Sequence, residues 1–544
     1  MGVNFNRRII LLIASLVVVG ILLITDRQSF GLSHESGFYE EPFELSIDKP
    51  FGTKVYYTLD GSNPTIDSTE YTGVILIDDA TNNPNVYANI TEVVPNYGEA
   101  QWQNLQYVVP EDNIDKCNVV RAICVNKNGA VIDETEAVYF VGFDNKSGYD
   151  DMWICSIVTD PDNLFDSQKG IMVCGDAIED DGAGHYSNAN YDNAGFEWER
   201  VGLIQMYDPE RNKTIDQMCG MRIHGHSSRS LATKSFNIYS RREYDGNDKF
   251  LCDFWGDGFY PEKFMLFSGG QDDVSMVRDR LMCDLTRNLN ISSYHYVPCV
   301  LFLDGEYWGV YYICEKFDTA YLKHYFGVEK EEVIELKDFM QNPEWAITEG
   351  VVDMVADEKK WNDFAICVSA MEEMGLNQEL FERTFDIESF LDYFSAQIYI
   401  SRTGDWPPRN MAYWSTRCYG NGYNDGRWRF LLFDSYYDSM TYPDQDTISY
   451  ARDIYAPLDY ELSNEDIRQK FDEKIINLKD NVFTEENVNS YIENHRKLMR
   501  EPLKKHYKRF YGDNITDTIF DEYLDRIESF FAERRKYFEG ELGD

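Results

Sequence analysis

Two short stretches decide how this chain is interpreted: Asp405-Trp-Pro-Pro-Arg-Asn410 and Trp428-Arg-Phe-Leu-Leu-Phe-Asp434. The first stretch follows a segment with helical apolar spacing, Asp386 to Ile400, and precedes a strand-like run. The second is an apolar strand that ends in a carboxylate. A carboxylate at the end of a buried strand is unfavourable unless a cation meets it. The two stretches therefore predict a loop and a strand that share a cation.

The five-residue spacing from Asp405 to Asn410 is typical of the catalytic loop of protein kinases. In that loop the Asp accepts the proton of the substrate hydroxyl and the Asn holds magnesium. A second metal-binding Asp follows a strand further along the chain, as Asp434 does here. We therefore predict Asp405 as a catalytic residue and Asn410 and Asp434 as metal ligands. Taken alone, the spacing of the first stretch is common by chance and favours an ordinary turn with a helix cap; the strand that ends in Asp434 shifts the interpretation to a kinase loop.

An upstream loop carries groups that bind phosphate. It contains Gly225, Ser227, Ser228 and Arg229, and the strand after it bears Lys234. Backbone N–H groups, hydroxyls and a guanidinium can cradle phosphate, and kinases place a lysine on a strand beside that loop. These five residues are predicted to bind the phosphates of a nucleotide, with Lys234 also catalytic.

Residues 300–316 predict a β-hairpin with an Asp304-Gly305 turn. Glu315 ends its second strand, where it is predicted to orient Lys234 or to bind a second metal. A surface charge on an edge strand is the alternative reading of Glu315.

The N-terminal part of the chain has two further features. Arg7-Arg8 precede an apolar run from Ile9 to Ile24, and no small-residue cleavage site follows that run. Residues 1–27 are therefore predicted to be a retained single-pass anchor, with the bulk of the chain outside the cytoplasm; a cleaved signal of a secreted protein is the alternative. Residues 38–145 contain short β-branched and aromatic runs that predict a small all-β sandwich.

Composition limits the class of partner. The 544 residues carry a formal net charge of −44, which repels phosphate backbones and disfavours nucleic acid. The 11 cysteines are scattered and odd in number, so buried free thiols are favoured over a disulfide framework.

Two resemblances complete this interpretation. Val55-Tyr-Tyr-Thr-Leu-Asp-Gly-Ser-Asn-Pro-Thr65 resembles the small sandwich appended to chitobiase and β-hexosaminidase enzymes, which implies a spacer or a contact with glycan or cell wall. The ordered motifs described above, together with Val277-Arg-Asp-Arg-Leu281, resemble the kinase domain of the spore-coat protein H (CotH) family over residues 150–541. The overall expectation is an α+β chain: an atypical protein-kinase-like domain preceded by the sandwich and an N-terminal membrane helix.

The CotH resemblance implies a protein serine kinase that uses ATP with Mg²⁺ or Mn²⁺ and acts on an exported, envelope or spore-coat protein. Family members commonly carry a second carboxylate two residues after the strand-end Asp, where this chain has Tyr436. A catalytically inactive pseudokinase and a cell-surface adhesion or scaffold protein are therefore alternatives. Phosphoester hydrolysis by the same carboxylates is a third.

Overall fold

The computed structural model describes residues 30–102, 105–182, 186–337, 347–350, 358–370, 375–417 and 419–542. The predicted anchor, residues 1–27, lies outside these ranges. Within them, no helix combines the length and the apolar character needed to cross a membrane.

Residues 30–141 are rich in β structure. Their strands are β1 (Gly31–Leu32), β2 (Gly37–Tyr39), β3 (Phe43–Leu45), β4 (Ile47–Asp48), β5 (Lys54–Thr58), β6 (Thr69–Glu70), β7 (Ile75–Ile77), β8 (Ala100–Trp102), β9 (Leu105–Gln106), β10 (Asn118–Val125) and β11 (Val131–Val141). Five of them form one sheet in the order β2-β11-β10-β5-β6, and β3 pairs with β7. Leu45, Val55, Ile77, Val120 and Tyr139 are buried in a core of this region, as the alternating pattern predicts.

The next region is a closed barrel of seven strands in the order β12-β15-β16-β17-β18-β21-β20. Its strands are β12 (Trp153–Val158), β15 (Arg200–Tyr207), β16 (Lys213–His224), β17 (Ser235–Tyr239), β18 (Lys263–Phe267), β20 (Tyr296–Leu303) and β21 (Glu306–Glu315), and a separate pair, β13 (Glu179–Asp180) and β14 (Tyr186–Ser187), lies outside it. The predicted hairpin is confirmed: Leu303 pairs with Glu306, and both Asp304 and Gly305 have the positive φ of a tight turn.

The C-terminal half is mainly helical around one mixed sheet. The sheet has the order β19-β25-β24-β22-β23, with β19 (Ser292–Ser293), β22 (Val333–Lys337), β23 (Ile347–Gly350), β24 (Ala412–Thr416) and β25 (Arg429–Leu432). Two short helices, α1 (Pro161–Phe165) and α2 (Arg242–Asp245), lie between barrel strands. The later α-helices of the described residues are α3 (Arg278–Leu285), α4 (Thr319–Phe326), α5 (Glu358–Ser369), α6 (Gln378–Thr384), α7 (Ile387–Tyr399), α8 (Thr447–Ile454), α9 (Ala456–Leu462), α10 (Glu465–Asn477), α11 (Glu485–Tyr511) and α12 (Asp517–Leu542). The predicted α+β class is therefore confirmed.

Helix α7 is the centre of the helical half. Its residues from Ser389 to Tyr399 are all buried, which is expected of a helix surrounded by protein on every side. Asp386 caps its first turn by accepting the N–H of Ser389. At its other end the guanidinium of Arg534, which is fully buried, donates to the carbonyls of Ile398 and Tyr399. Both ends of α7 are thus fixed before the chain enters the loop that carries Asp405.

The N-terminal β region and the barrel share a hydrophobic core. Val93, Tyr107 and Phe140 belong to the same buried cluster as Phe302 and Tyr307 of the barrel. This packing ties the β region to the hairpin of strands β20 and β21.

Polar contacts support the same junction. The buried carboxylate of Glu306 accepts the backbone N–H of Val86 at 2.6 Å and that of Ala88 at 2.7 Å. The N–H of Cys117 donates to the carbonyl of Gly305 at 2.9 Å. Cys117 is one of ten described cysteines, all of them buried and free, as predicted.

Glu306→Gln tests this junction. The substitution leaves one of the two N–H groups opposite an amide NH₂ group, and we expect the free energy of unfolding to fall by about 1–3 kcal/mol. Urea denaturation followed by tryptophan fluorescence measures the change. The matched control is Glu70→Gln, which removes an exposed ion pair with Lys54 and should change stability by less than about 1 kcal/mol. If the two substitutions lower the free energy of unfolding equally, the hydrogen bonds of Glu306 do not stabilise the junction as proposed.

Candidate functional site

A cavity of about 820 Å³ lies between the barrel and the helical half. It is lined from the barrel side by β16, the loop after it, β17 and β18, and from the other side by β22, the loop after α7 and the end of β25. Seven of the nine predicted site residues line it: Gly225, Ser227, Ser228, Arg229, Asp405, Asn410 and Asp434. Residues of the 225–229 loop therefore meet residues that lie at least 176 positions later in the chain.

The loop that carries Asp405 has a tightly determined backbone. Gly404 has a φ of +75°, and a Cβ atom there would lie 2.1 Å from a carboxylate oxygen of Asp438. Asn410, with a φ of 51°, also adopts the left-handed region, which is uncommon for a residue other than glycine. Such conformations persist only where the surroundings enforce them and are frequent at functional sites.

The amide of Asn410 contacts Asp405 directly. Its Nδ2 donates a hydrogen bond to Oδ2 of Asp405. The other carboxylate oxygen, Oδ1, is buried and has no hydrogen-bond partner among the described residues. Nη2 of Arg402 lies 3.6 Å from that oxygen, which is beyond hydrogen-bonding distance. Oδ1 of Asp405 thus remains available to a group that enters the cavity.

Burial raises the pKa of Asp405, with a further increase from the charge of Asp434 and an opposing decrease from Arg402. A carboxylate with a raised pKa is a stronger base, which suits a group that accepts a proton. Asp434 also has a left-handed backbone, with a φ of 52°, at the point where strand β25 ends. Both carboxylates are therefore held near each other despite their like charges.

A third carboxylate, Asp279, was missed by the analysis of sequence. It lies in the first turn of α3, lines the cavity, and is almost completely buried. Its Oδ1 accepts the N–H of Ser435 at 2.8 Å and its Oδ2 accepts the hydroxyl of Tyr296 at 2.6 Å. Burial, followed by the charge of Asp434, raises the pKa of Asp279 to about 6. Asp279 belongs to the stretch Val277 to Leu281, which carries part of the family resemblance. Nothing in that stretch indicates that Asp279 lies near Asp434, because the two residues are brought together only by the fold.

A cationic group lies in the same cavity. It consists of Lys316, Lys337 and Arg229 around His224. Burial lowers the pKa of His224 well below its usual range, and the three cations lower it further, Lys316 first. Burial also lowers the pKa of Lys316. Several cations concentrated in one cleft favour an anionic ligand.

The predicted phosphate loop is built around Gly225 and Arg229. Gly225 has a φ of +107°, and a Cβ there would lie 2.4 Å from Oγ of Ser228. Nε of Arg229 donates to the carbonyl of Gly225 at 2.6 Å, and its Nη1 donates to the carbonyls of Tyr191 and Asp192. These hydrogen bonds to backbone carbonyls fix the conformation of the loop. Arg229 also lines the cavity, so its positive charge contributes to the potential there.

Lys234 does not line the cavity. It shares the inner face of the barrel wall with Phe236 and Ile238, whereas Asn237, on the outer face, lines the cavity. Its ammonium is fully buried, donates to the carbonyls of Val93 and Leu231, and lies over the ring of Tyr191. Burial lowers its pKa to about 7. This geometry does not support the phosphate-binding and catalytic roles predicted for Lys234.

Glu315 is also on the inner face of the barrel wall, with Ile313 and Tyr311. Its carboxylate accepts the backbone N–H of His295 at 2.8 Å and contacts Nδ1 of the same residue at 2.8 Å. It does not line the cavity and does not reach Lys234, so the predicted orienting role is not supported. The next residue, Lys316, points from the strand end into the cavity instead.

The donor atoms fit a divalent cation. Asp434, Asp405 and Asp279 offer carboxylate oxygens and Asn410 offers an amide oxygen, which are the hard ligands that Mg²⁺ and Mn²⁺ prefer. The buried Oδ1 of Asp405, which has no hydrogen-bond partner among the described residues, is satisfied when a cation or a substrate hydroxyl is present.

Comparison with known families agrees with this geometry. The model of the CotH kinase protein family matches residues 221–538, more than half of the chain's 544 residues. The Fn3 associated family model matches residues 43–135, within the N-terminal β region. No curated protein matches the chain. Because the CotH model matches more than half of the chain and covers the residues that line the cavity, the chain belongs to the CotH kinase protein family, with an N-terminal Fn3-associated β region.

Proposed function

We propose that this chain is an ATP- and metal-dependent protein kinase that transfers a phosphoryl group to a serine hydroxyl. The observation that carries the proposal is the meeting of Asp405, Asn410 and Asp434 with Lys316 and Lys337 in one cavity. Carboxylates and an amide suit a metal, and the lysines suit the phosphates that the metal accompanies. Groups suited to a metal and groups suited to phosphates therefore line the same cavity, which supports the proposal.

In the proposed reaction the oxygen of the acceptor hydroxyl bonds to the γ-phosphorus of ATP, and Asp405 accepts the proton that this hydroxyl loses. The bond from that phosphorus to the β,γ-bridging oxygen breaks, and the electron pair leaves with ADP. The raised pKa of Asp405 and the uncommitted Oδ1 support this role. Asn410 and Asp434 would hold a divalent cation, which would offset the charge of the nucleotide phosphates.

Asp279 supports an active kinase over a pseudokinase. Family members commonly carry a second carboxylate two residues after the strand-end Asp, and Tyr436 stands at that position here. Asp279 offers a carboxylate from α3 next to Asp434, close enough that the charge of Asp434 raises its pKa. We propose that Asp279 takes the place of the missing second carboxylate.

The remaining expectations follow from the sequence. We propose that residues 1–27 anchor the chain in the cell membrane and that the acceptor is an envelope or coat protein outside the cytoplasm. A contact of the N-terminal β region with glycan or cell wall belongs to the same proposal. Identification of phosphorylated proteins in an envelope fraction incubated with the enzyme and labelled ATP tests the acceptor.

The comparison of Lys316→Met with Lys234→Met tests which lysine binds phosphate. Lys316 lines the cavity and Lys234 lies behind the barrel wall, so only Lys316→Met should weaken ATP binding. A hydrogen bond to a charged group contributes about 1.5–3 kcal/mol, and we expect an affinity loss of about 10–100-fold. Isothermal titration with Mg-ATP measures it after circular dichroism has shown native folding. A loss with Lys234→Met alone would contradict the assignment.

The substitutions Asp434→Asn and Asp405→Asn should separate binding from turnover. Loss of the metal ligand Asp434 should weaken Mg-ATP binding by at least about 10-fold. Loss of the base Asp405 should lower phosphoryl transfer by about 10²–10⁴-fold while nucleotide binding survives. The measurements are isothermal titration with Mg-ATP and transfer of labelled phosphate to casein or to the chain itself.

Normal Mg-ATP binding by the Asp434→Asn variant would refute the metal assignment. If the unsubstituted chain neither binds ATP nor transfers phosphate with Mg²⁺ or Mn²⁺, the kinase proposal fails, and the adhesion or scaffold alternative replaces it.

A further inference from the structure

A second group of metal-ligating side chains lies at one end of the barrel, outside the cavity. Asp257 comes from the loop between β17 and β18, His295 directly precedes β20, and Glu315 ends β21. One ligand atom from each of the three lies within 4.8 Å of the others. None of the three lines the cavity between the barrel and the helical half. The group therefore lies apart from the proposed nucleotide site.

The hydroxyl of Tyr325, on α4, contacts this group in a way that one proton does not satisfy. It forms short contacts with Oδ2 of Asp257 and with Oε1 of Glu315. It also lies 3.5 Å from Nδ1 of His295. A phenol has one proton to donate, so it cannot donate to both carboxylates at once. One of the two oxygen–oxygen contacts lacks a hydrogen, which is repulsive unless positive charge is added.

Glu315 makes the need for positive charge stronger. Its side chain is fully buried, and its ion-pair partner in the described part of the chain is the imidazole of His295. A histidine is charged only when protonated, so it is not a permanent counter-ion. A buried carboxylate is stable when it is paired with a cation or coordinates a metal.

We propose that Asp257, His295 and Glu315 bind a divalent transition-metal ion, with the hydroxyl oxygen of Tyr325 as a fourth candidate ligand. One imidazole nitrogen with two carboxylates suits Zn²⁺ or Mn²⁺, whereas Mg²⁺ prefers oxygen ligands alone. The metal replaces the missing proton between Tyr325 and the carboxylates and neutralises Glu315.

The role of this ion is to position the cavity wall. His295 lies between Tyr294 and Tyr296, and Glu315 precedes Lys316; these three neighbours all line the cavity. A metal that joins the strand ends and the 257 loop fixes the backbone from which those side chains project. The inference rests on residues that take no part in the proposed phosphoryl transfer, and it stands or falls separately from that function.

Metal binding to the full chain after treatment with EDTA tests the proposal. Zn²⁺, Mn²⁺ and Mg²⁺ are titrated separately by calorimetry in the absence of nucleotide, and bound metal is counted by elemental analysis. We expect one equivalent of Zn²⁺ or Mn²⁺ that the Asp434→Asn variant retains. His295→Gln should weaken that binding by at least about 10-fold, and His34→Gln, a substitution in the N-terminal β region, should leave it unchanged.

Asp257→Asn provides a second route if His295→Gln fails to fold, because Asp257 is exposed and its loss leaves the core intact. Co²⁺ then reports the ligand set: its visible d–d absorption should appear with the unsubstituted chain and disappear with Asp257→Asn. The proposal is overturned if neither Zn²⁺ nor Mn²⁺ binds stoichiometrically. It is equally overturned if binding survives both substitutions, or if it is lost with Asp434→Asn.

Discussion

The repulsion among three carboxylates that line one cavity, of which Asp279 is almost completely buried, governs this site. Asp279, Asp405 and Asp434 lie together at the junction between the barrel and the helical half. Like charges in a medium of low dielectric constant disfavour ionisation, and the raised pKa values of Asp279 and Asp405 follow from burial combined with that repulsion. Such a junction is unfavourable on its own and becomes favourable when cations enter it. Lys316 and Lys337, which line the same cavity, supply part of that charge, and a metal bound there would supply the rest.

The surrounding fold is arranged to hold those carboxylates in place. Helix α7 is buried on all sides, and the guanidinium of Arg534 caps its last turn, so the loop that follows starts from a fixed point. Asn410 and Asp434 are both held in left-handed backbone conformations. The packing of α7 and the barrel offsets the strain and the repulsion, and the result is a site arranged before any ligand binds.

Site residues that lie close together in the chain were predicted correctly to share a cavity. Predictions that depended on how the barrel strands orient their side chains were not supported. Asp405, Asn410 and Asp434 were recognised because a loop and the strand after it fix their order, and all three line one cavity. Lys234 and Glu315 were assigned by analogy along the chain, but side chains alternate across a strand, and both point to the inner face.

The two lysines proposed in their place could not be recognised from spacing. Lys316 lies one position after Glu315, whose strand β21 belongs to the barrel, whereas Lys337 ends β22, which belongs to the mixed sheet. Their proximity depends on closure of the barrel and on how it packs on the mixed sheet, and neither follows from local pattern. The shared core of the N-terminal β region and the barrel was hidden for the same reason.

Thermal unfolding of the full chain with ATP, with and without Mg²⁺ or Mn²⁺, is the most direct test of the metal–nucleotide site. A ligand present at about 100 times its dissociation constant stabilises the folded state by about 2.7 kcal/mol. The account predicts that ATP and metal together raise Tm by more than the sum of the shifts that each produces alone, because the carboxylates and the cations of the cavity accept them jointly. An unchanged Tm with ATP and either metal at saturating concentrations would contradict it.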